Sequence, residues 1–239
     1  FSAGGEAEPL KVDWSFKGLT GKFDRASLQR GFQVYKEVCS SCHSMQYLSY
    51  RNLGESGGPE FSEQEVKAIA ASVEITDGPD DQGEMFTRPG RPADKFKNPY
   101  PNVKASIAAN GGAYPPDMSV LVKARPGGSN YIYSVLVGYE DPPAGVTLDD
   151  GVYYNKYMIG NKIKMASPLS DDIVEYSDGT QASVDQMAKD VTTFLSWAAE
   201  PELEERHRTG VKVIIYLILL TTLVYLSMKK IWSRVDTEV

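Results

Sequence analysis

Two cysteines and a histidine make up the most reactive short segment of the sequence. Cys39, Cys42 and His43 form a Cys-x-x-Cys-His motif, and the chain of 239 residues has no further cysteine. In this spacing each thiol can form a thioether with one vinyl group of a haem, and the adjacent imidazole can bind the iron. The motif therefore predicts one covalent haem c, attached through Cys39 and Cys42 and ligated by His43.

Two other uses of the motif are less favoured. A structural zinc site requires four ligands, and the only other histidine, His207, lies far along the chain. A thioredoxin-like dithiol would open a helix after a strand, whereas this pair follows a predicted helix. Two closely spaced cysteines are also too few for the disulfide framework of a secreted domain.

A haem that carries electrons needs a second axial ligand, commonly Met or His. His207 is interpreted as a solvated or headgroup-facing residue. Three methionines are set aside as ligands. Met45 is too close to His43 in the chain, Met187 lies on the apolar face of a predicted helix, and Met228 lies in the apolar segment near the C-terminus. Four remain as candidates: Met85, Met118, Met158 and Met165. The loop around Met165 favours this residue, although Met158 stays open on spacing alone.

A haem pocket also needs apolar walls and donors for the propionates. Tyr114, Pro115 and Pro116 form a rigid apolar stretch that could supply a wall. Arg125 could pair with a propionate in a bidentate way. Ordinary loop structure would account for these residues equally well.

Two amphipathic helices are predicted to frame the motif. Residues 24–38 place Leu28, Phe32 and Tyr35 on one face after a possible cap at Asp24, and residues 183–199 open at Ser183. Residues 62–73 and 102–109 are further helix candidates. All 14 prolines precede residue 202, often beside glycine, which predicts long loops. The expected fold is mainly α: a haem domain with long loops, plus one C-terminal transmembrane helix.

An apolar run near the C-terminus predicts the membrane span. Residues 211–228 contain one charged residue, Lys212, whose stem can snorkel. The run is about 27 Å long as a helix, close to the thickness of a bilayer core. We expect a haem domain over residues 1–205, an anchor over 206–232 and a short tail over 233–239.

The charge balance excludes nucleic acid as a partner. The formal net charge is −7, and residues 1–205 contain 19 basic against 30 acidic residues. Such a surface would attract basic partners. Because the chain starts at Phe1, we also expect that an upstream segment has been removed.

Several longer segments are distinctive in their order along the chain. They are 30–35 leading into the Cys-x-x-Cys-His motif, 83–90 (Gly-Glu-Met-Phe-Thr-Arg-Pro-Gly), 109–119 (Ala-Asn-Gly-Gly-Ala-Tyr-Pro-Pro-Asp-Met-Ser), 165–168 (Met-Ala-Ser-Pro) and 194–202, which contains Trp-Ala-Ala-Glu-Pro. Together they resemble the cytochrome c1 family over nearly the whole chain. The resemblance implies thioethers at Cys39 and Cys42, axial ligands at His43 and Met165, and a haem-contacting Arg125. Some bacterial members have an extra cysteine pair that forms a disulfide in the haem domain, which this chain lacks.

The resemblance also implies a function and a set of partners. The chain would pass one electron from the Rieske iron–sulfur protein through haem c to a cytochrome c, as a subunit of the quinol:cytochrome c oxidoreductase (bc1) complex of a respiratory chain. Its neighbours would be cytochrome b and membrane lipid, within a dimeric complex. The chain alone would be an electron carrier without a substrate site of its own. Its haem domain would face the periplasm of a bacterium or the mitochondrial intermembrane space.

Other classes of function stay open at this point. A haem peroxidase or nitrite-reducing cytochrome would release its methionine to admit substrate. A membrane-tethered thiol–disulfide oxidoreductase would contain no haem, and a purely structural anchor would not need Cys39.

Overall fold

Helices dominate the chain, as the sequence predicts. The computed structural model describes residues 7–235, so most of the predicted 233–239 tail lies outside the described residues. The helices are α1 (Arg25–Glu37), α2 (Glu63–Ala71), α3 (Val103–Ala109), α4 (Ser129–Val137), α5 (Val184–Ala199) and α6 (Leu203–Val235). Two antiparallel hairpins pair β1 (Glu74–Asp77) with β2 (Phe86–Pro89) and β3 (Tyr153–Tyr154) with β4 (Lys162–Ile163). The mainly α class is confirmed.

The pair α1 and α5 forms the centre of the core. Each starts at a capping side chain: Asp24 accepts from the Ser27 backbone N–H, and Ser183 accepts from that of Gln186. The apolar faces meet, with the Phe32 and Phe194 rings 5.7 Å apart. Both helices therefore begin at the caps that the sequence indicates.

A glycine allows these two helices to touch at their backbones. A Cβ added at Gly31 would lie 2.1 Å from the Asp190 carbonyl oxygen, so no larger residue fits there without a shift. The Asp190 carboxylate is buried beside this contact and accepts hydrogen bonds from Arg30 and Ser27. The α1–α5 crossing is thus fixed by both a close approach and a buried ion pair.

The remaining predicted helices are present with slightly shorter bounds. Helix α2 opens with a reciprocal cap between Ser62 and Glu65, and Asn102 caps α3. Helix α4 was not among the predictions because it follows Gly127 and Gly128, both with positive φ, in a segment that reads as a loop. It packs against α5 and leads into the segment that carries the β3–β4 hairpin.

The last helix leaves the core and continues without a break through the apolar run. Helix α6 has 33 residues, about 50 Å, which exceeds a bilayer core. Its apolar stretch makes no burying contact with the rest of the described chain, as expected for a membrane span. At its start Glu204 accepts a bidentate hydrogen bond from Arg25, and His207 Nδ1 lies 3.1 Å from the Gly21 carbonyl oxygen.

Candidate haem site

The Cys-x-x-Cys-His segment leaves the end of α1 as a single tight turn. Residues Cys39–Ser41 form a 3₁₀ turn, and the backbone N–H groups of Cys42 and His43 both donate to the Cys39 carbonyl oxygen, at 3.2 and 2.9 Å. Cys39 is buried, Cys42 is half-buried, and neither is in a disulfide. Burial, with a smaller contribution from Cys42, raises the pKa of the Cys39 thiol to about 12. The Cys39 sulfur is therefore present as a thiol at neutral pH.

The imidazole of His43 is held in one orientation by a backbone carbonyl. His43 is 8% exposed, and its Nδ1 lies 2.8 Å from the Pro116 carbonyl oxygen. Burial lowers the pKa of His43, although the Pro116 contact opposes this effect. A neutral ring that donates from Nδ1 keeps its lone pair on Nε2, which is the arrangement of metal-binding histidines.

The residues after His43 are hydrogen-bonded to the Pro116–Ser119 segment. The Ser44 carbonyl accepts from the Met118 N–H at 2.8 Å, and the Ser44 hydroxyl donates to the Asp117 carboxylate at 2.7 Å. Asp117 also accepts from the Gln46 N–H. These bonds fix the position of the Pro116 carbonyl relative to His43.

Two of the three predicted wall residues line one cavity with a motif cysteine. Cys42, Tyr114 and Pro115 border one open pocket, together with residues of the 98–103 segment. Pro116 is brought to the site through its carbonyl oxygen rather than its ring. No sequence signal indicates this role, because any residue supplies a backbone carbonyl.

The four methionine candidates differ in their surroundings. The Met158 Sδ accepts a hydrogen bond from the Tyr131 hydroxyl at 3.3 Å. Met118 is buried in the core at 8% exposure, and Met85 is 61% exposed on the β1–β2 hairpin. Met165 follows β4 by two residues and is half-buried.

The Met165 segment lies beside the stretch that leads to Tyr114. The neighbouring Lys164 donates from Nζ to the Gly111 carbonyl oxygen at 3.1 Å. The Met165 carbonyl accepts from the Tyr139 hydroxyl at 3.0 Å. Within residues 7–235, no hydrogen bond occupies the Met165 sulfur, so it is available as a ligand.

Arg125 stands apart from these contacts. It lies just before α4, is half-buried, and donates to the adjacent Ala124 carbonyl. It forms no ion pair with a carboxylate in the described part of the chain, which leaves its guanidinium available for a propionate. The described residues also contain no group of three or more His, Cys, Asp or Glu residues that could hold a metal ion.

Comparison with known proteins places the chain in one family. The family model described as "Cytochrome C1 family" matches residues 14–235. The chain is 51% identical to "Cytochrome c1 2, heme protein, mitochondrial" of Arabidopsis thaliana over 92% of this chain and 71% of that protein. It is 50% identical to "Cytochrome b-c1 complex catalytic subunit, mitochondrial" of Candida albicans over 95% and 76%.

A bacterial relative is longer. The chain is 50% identical to "Cytochrome b/c1" of Bradyrhizobium diazoefficiens over 96% of this chain, but it spans about a third (36%) of that protein's length. The matches to these bacterial and mitochondrial proteins each cover more than nine-tenths of this chain. The chain belongs to the cytochrome c1 family.

Proposed function

We propose that this chain is the electron-transfer subunit of a bc1 complex, passing one electron from the Rieske iron–sulfur protein to a cytochrome c by way of a covalently bound haem c. The observation that carries the proposal is His43, a buried imidazole held through Nδ1 by the Pro116 carbonyl, directly beside two thiols at haem-attachment spacing. Family membership and the relatives' names support the same role.

The residues present fit a haem. Cys39 and Cys42 would form the thioethers, His43 Nε2 and the Met165 sulfur would be the axial ligands, and Arg125 would pair with a propionate. When bound, the haem supplies a one-electron couple at iron. Tyr114 and Pro115 would form one wall of the site, and the Pro116 carbonyl would orient His43.

A site closed by His43 and Met165 has no free position for substrate. Ligation by His43 and Met165 would raise the reduction potential of the haem, and neither ligand would have to leave for an electron to be transferred. Quinol chemistry would therefore take place in another subunit, and cytochrome b is the proposed one. The names of the Candida albicans and Bradyrhizobium diazoefficiens relatives support this assembly.

The membrane helix sets the proposed location. We place the anchor at 206–232 in a bacterial inner membrane or the mitochondrial inner membrane, with the haem domain (1–205) in the periplasm or intermembrane space and the 233–239 tail on the opposite side. Covalent haem is attached on that outer side. We further propose that the complex is dimeric.

The acidic surface is the proposed contact for a basic cytochrome c. Eight of the nine carboxylates in residues 55–84 are the proposed steering groups: Glu55, Glu60, Glu63, Glu65, Asp77, Asp80, Asp81 and Glu84. Three of them are in ion pairs within the chain, with Arg25, Lys67 and Arg88. The remaining five are the ones we expect to act, and electron transfer to a basic cytochrome c should slow steeply as salt rises. A rate that does not change with salt would contradict steering.

Replacing the two competing methionines tests the ligand assignment. Met165→Leu should abolish the sulfur-to-iron charge-transfer band of the oxidised protein, lower the reduction potential and allow carbon monoxide to bind to the reduced protein. Met158→Leu is the matched control, since it removes a sulfur that is already hydrogen-bonded to Tyr131. Loss of the band in Met158→Leu but not in Met165→Leu would refute the assignment.

Carbon monoxide also separates this proposal from a haem enzyme. A peroxidase or nitrite-reducing cytochrome would bind exogenous ligand without any substitution. Binding of carbon monoxide by the unaltered native protein would therefore favour the enzyme.

A further inference from the structure

The β3–β4 hairpin is attached to the end of α4 by the side chain of Asn155. This side chain is fully buried, and its Nδ2 donates to the Val135 carbonyl oxygen at 2.8 Å. Its Oδ1 accepts from the backbone N–H groups of Tyr157 and Met158, at 3.1 and 3.2 Å. Because both ends of this buried amide are hydrogen-bonded, it fixes the loop between the two strands against the helix.

Backbone contacts reinforce the attachment. The Lys156 N–H donates to the Gly138 carbonyl at 2.9 Å, and Tyr139 and Asn155 form an isolated antiparallel bridge. A Cβ at Gly138 would lie 2.5 Å from the Tyr157 ring and 3.1 Å from Asn155 Oδ1. The hairpin therefore approaches the end of α4 as closely as glycine permits.

Tyr139 extends this attachment to the residue that follows the hairpin. Its hydroxyl donates to the Met165 carbonyl oxygen at 3.0 Å. Asn155 thus holds the hairpin just after β3, and Tyr139 holds Met165, two residues after β4.

We propose that Tyr139 and Asn155 are positioning residues that hold the Met165 segment against α4 and so determine how firmly the Met165 thioether is presented as a ligand. The inference rests on the proposed role of Met165 as a haem ligand. A neutral thioether is a weak ligand, and its binding weakens further if the segment that carries it must first be ordered. The chain has no cysteines beyond Cys39 and Cys42 that could cross-link this segment. The hydrogen bonds of Asn155 and Tyr139 hold it in place instead.

Tyr139→Phe in the haem-loaded full-length protein is the direct test. The change removes one hydroxyl and keeps the ring, so the fold is retained. Loss of one hydrogen bond should raise the carbon monoxide-reactive fraction of the reduced protein roughly five-fold. It should also weaken the sulfur-to-iron charge-transfer band and lower the reduction potential.

The matched control is Tyr133→Phe. It removes a tyrosine hydroxyl that donates to Asp185 Oδ1 at 2.5 Å rather than to the Met165 carbonyl. All three measurements should stay at the wild-type values in this variant. Asn155→Asp, which loses the donor to the Val135 carbonyl, should shift them in the same direction as Tyr139→Phe.

The outcomes separate the two proposals. If the wild-type protein shows the band and Met165→Leu abolishes it, but Tyr139→Phe behaves like Tyr133→Phe, the positioning role is overturned and the ligand assignment stands. If the band is absent from the wild-type protein, the ligand assignment itself fails, and the positioning role fails with it.

Discussion

Gly31→Ala should destabilise the protein even though alanine is the better helix former. The new Cβ would lie 2.1 Å from the Asp190 carbonyl oxygen and 2.8 Å from the Phe194 Cβ. The nearest atom is backbone, so it cannot swing aside. The first distance is roughly 1.3 Å below ordinary van der Waals contact, so α1 and α5 would have to separate by a similar amount.

The magnitude follows from two opposing effects. Overpacking of a tight core contact typically costs about 3 kcal/mol at its upper range, while replacing glycine in a helix gains about 1 kcal/mol. The free energy of unfolding should therefore fall by about 2 kcal/mol. Part of this loss comes from weaker contact between the Phe32 and Phe194 rings and a longer Arg30–Asp190 ion pair.

Denaturant unfolding of the full-length protein in detergent measures the change. The buried Trp14 and Trp197 report on unfolding of the haem domain by fluorescence. Gly210→Ala is the matched control, since it makes the same substitution in α6 with no atom within 4 Å of the new Cβ. Gly210→Ala should leave the core transition unchanged. If Gly31→Ala were as stable as the wild type, the described α1–α5 contact would be wrong.

Three further substitutions test the charged groups of the fold. Asp190→Asn should lower the free energy of unfolding by about 3 kcal/mol, because it leaves the largely buried Arg30 with only the more exposed Asp178 as a charged partner. Asp178→Asn should lower it by less than about 1 kcal/mol. Denaturant titration of both variants measures the difference. Hydrogen bonds from Arg88 hold the pKa of Asp94 at about 2. The contribution of Asp94 to stability is thus complete above its ordinary pKa of 3.8 and is lost as the pH falls towards 2. Asp94→Asn should flatten the pH dependence of unfolding in this window, measured by circular dichroism, and an unchanged acid profile would contradict the Arg88 contact.

Sequence reasoning reached the features that depend on local pattern. Helices α1 and α5 follow from apolar periodicity and the caps at Asp24 and Ser183, and the membrane helix follows from an apolar run. The haem motif is likewise local, because its thiols and imidazole are consecutive in the chain. These features need no knowledge of distant contacts.

Features that depend on contacts between distant residues cannot be predicted from local sequence patterns. Spacing alone leaves both Met158 and Met165 open as iron ligands. The hydrogen bond from the Tyr131 hydroxyl to the Met158 sulfur becomes visible only in the fold. The Pro116 carbonyl is a backbone group with no side-chain signature. Helix α4 was missed because the flanking Gly127 and Gly128 are typical of turns. In each case the information lies in which residues the fold brings together.

An optical difference spectrum tests most directly whether the protein carries a covalent haem with no free ligand position. The reduced-minus-oxidised spectrum is recorded on the denaturant-washed protein and again on the native protein with carbon monoxide added. If Cys39 and Cys42 attach the haem and His43 and Met165 both bind its iron, the haem should survive washing, show a c-type α band and not respond to carbon monoxide. Loss of the haem on washing would contradict covalent attachment at Cys39 and Cys42. A retained haem that binds carbon monoxide would contradict the closed electron-carrier site.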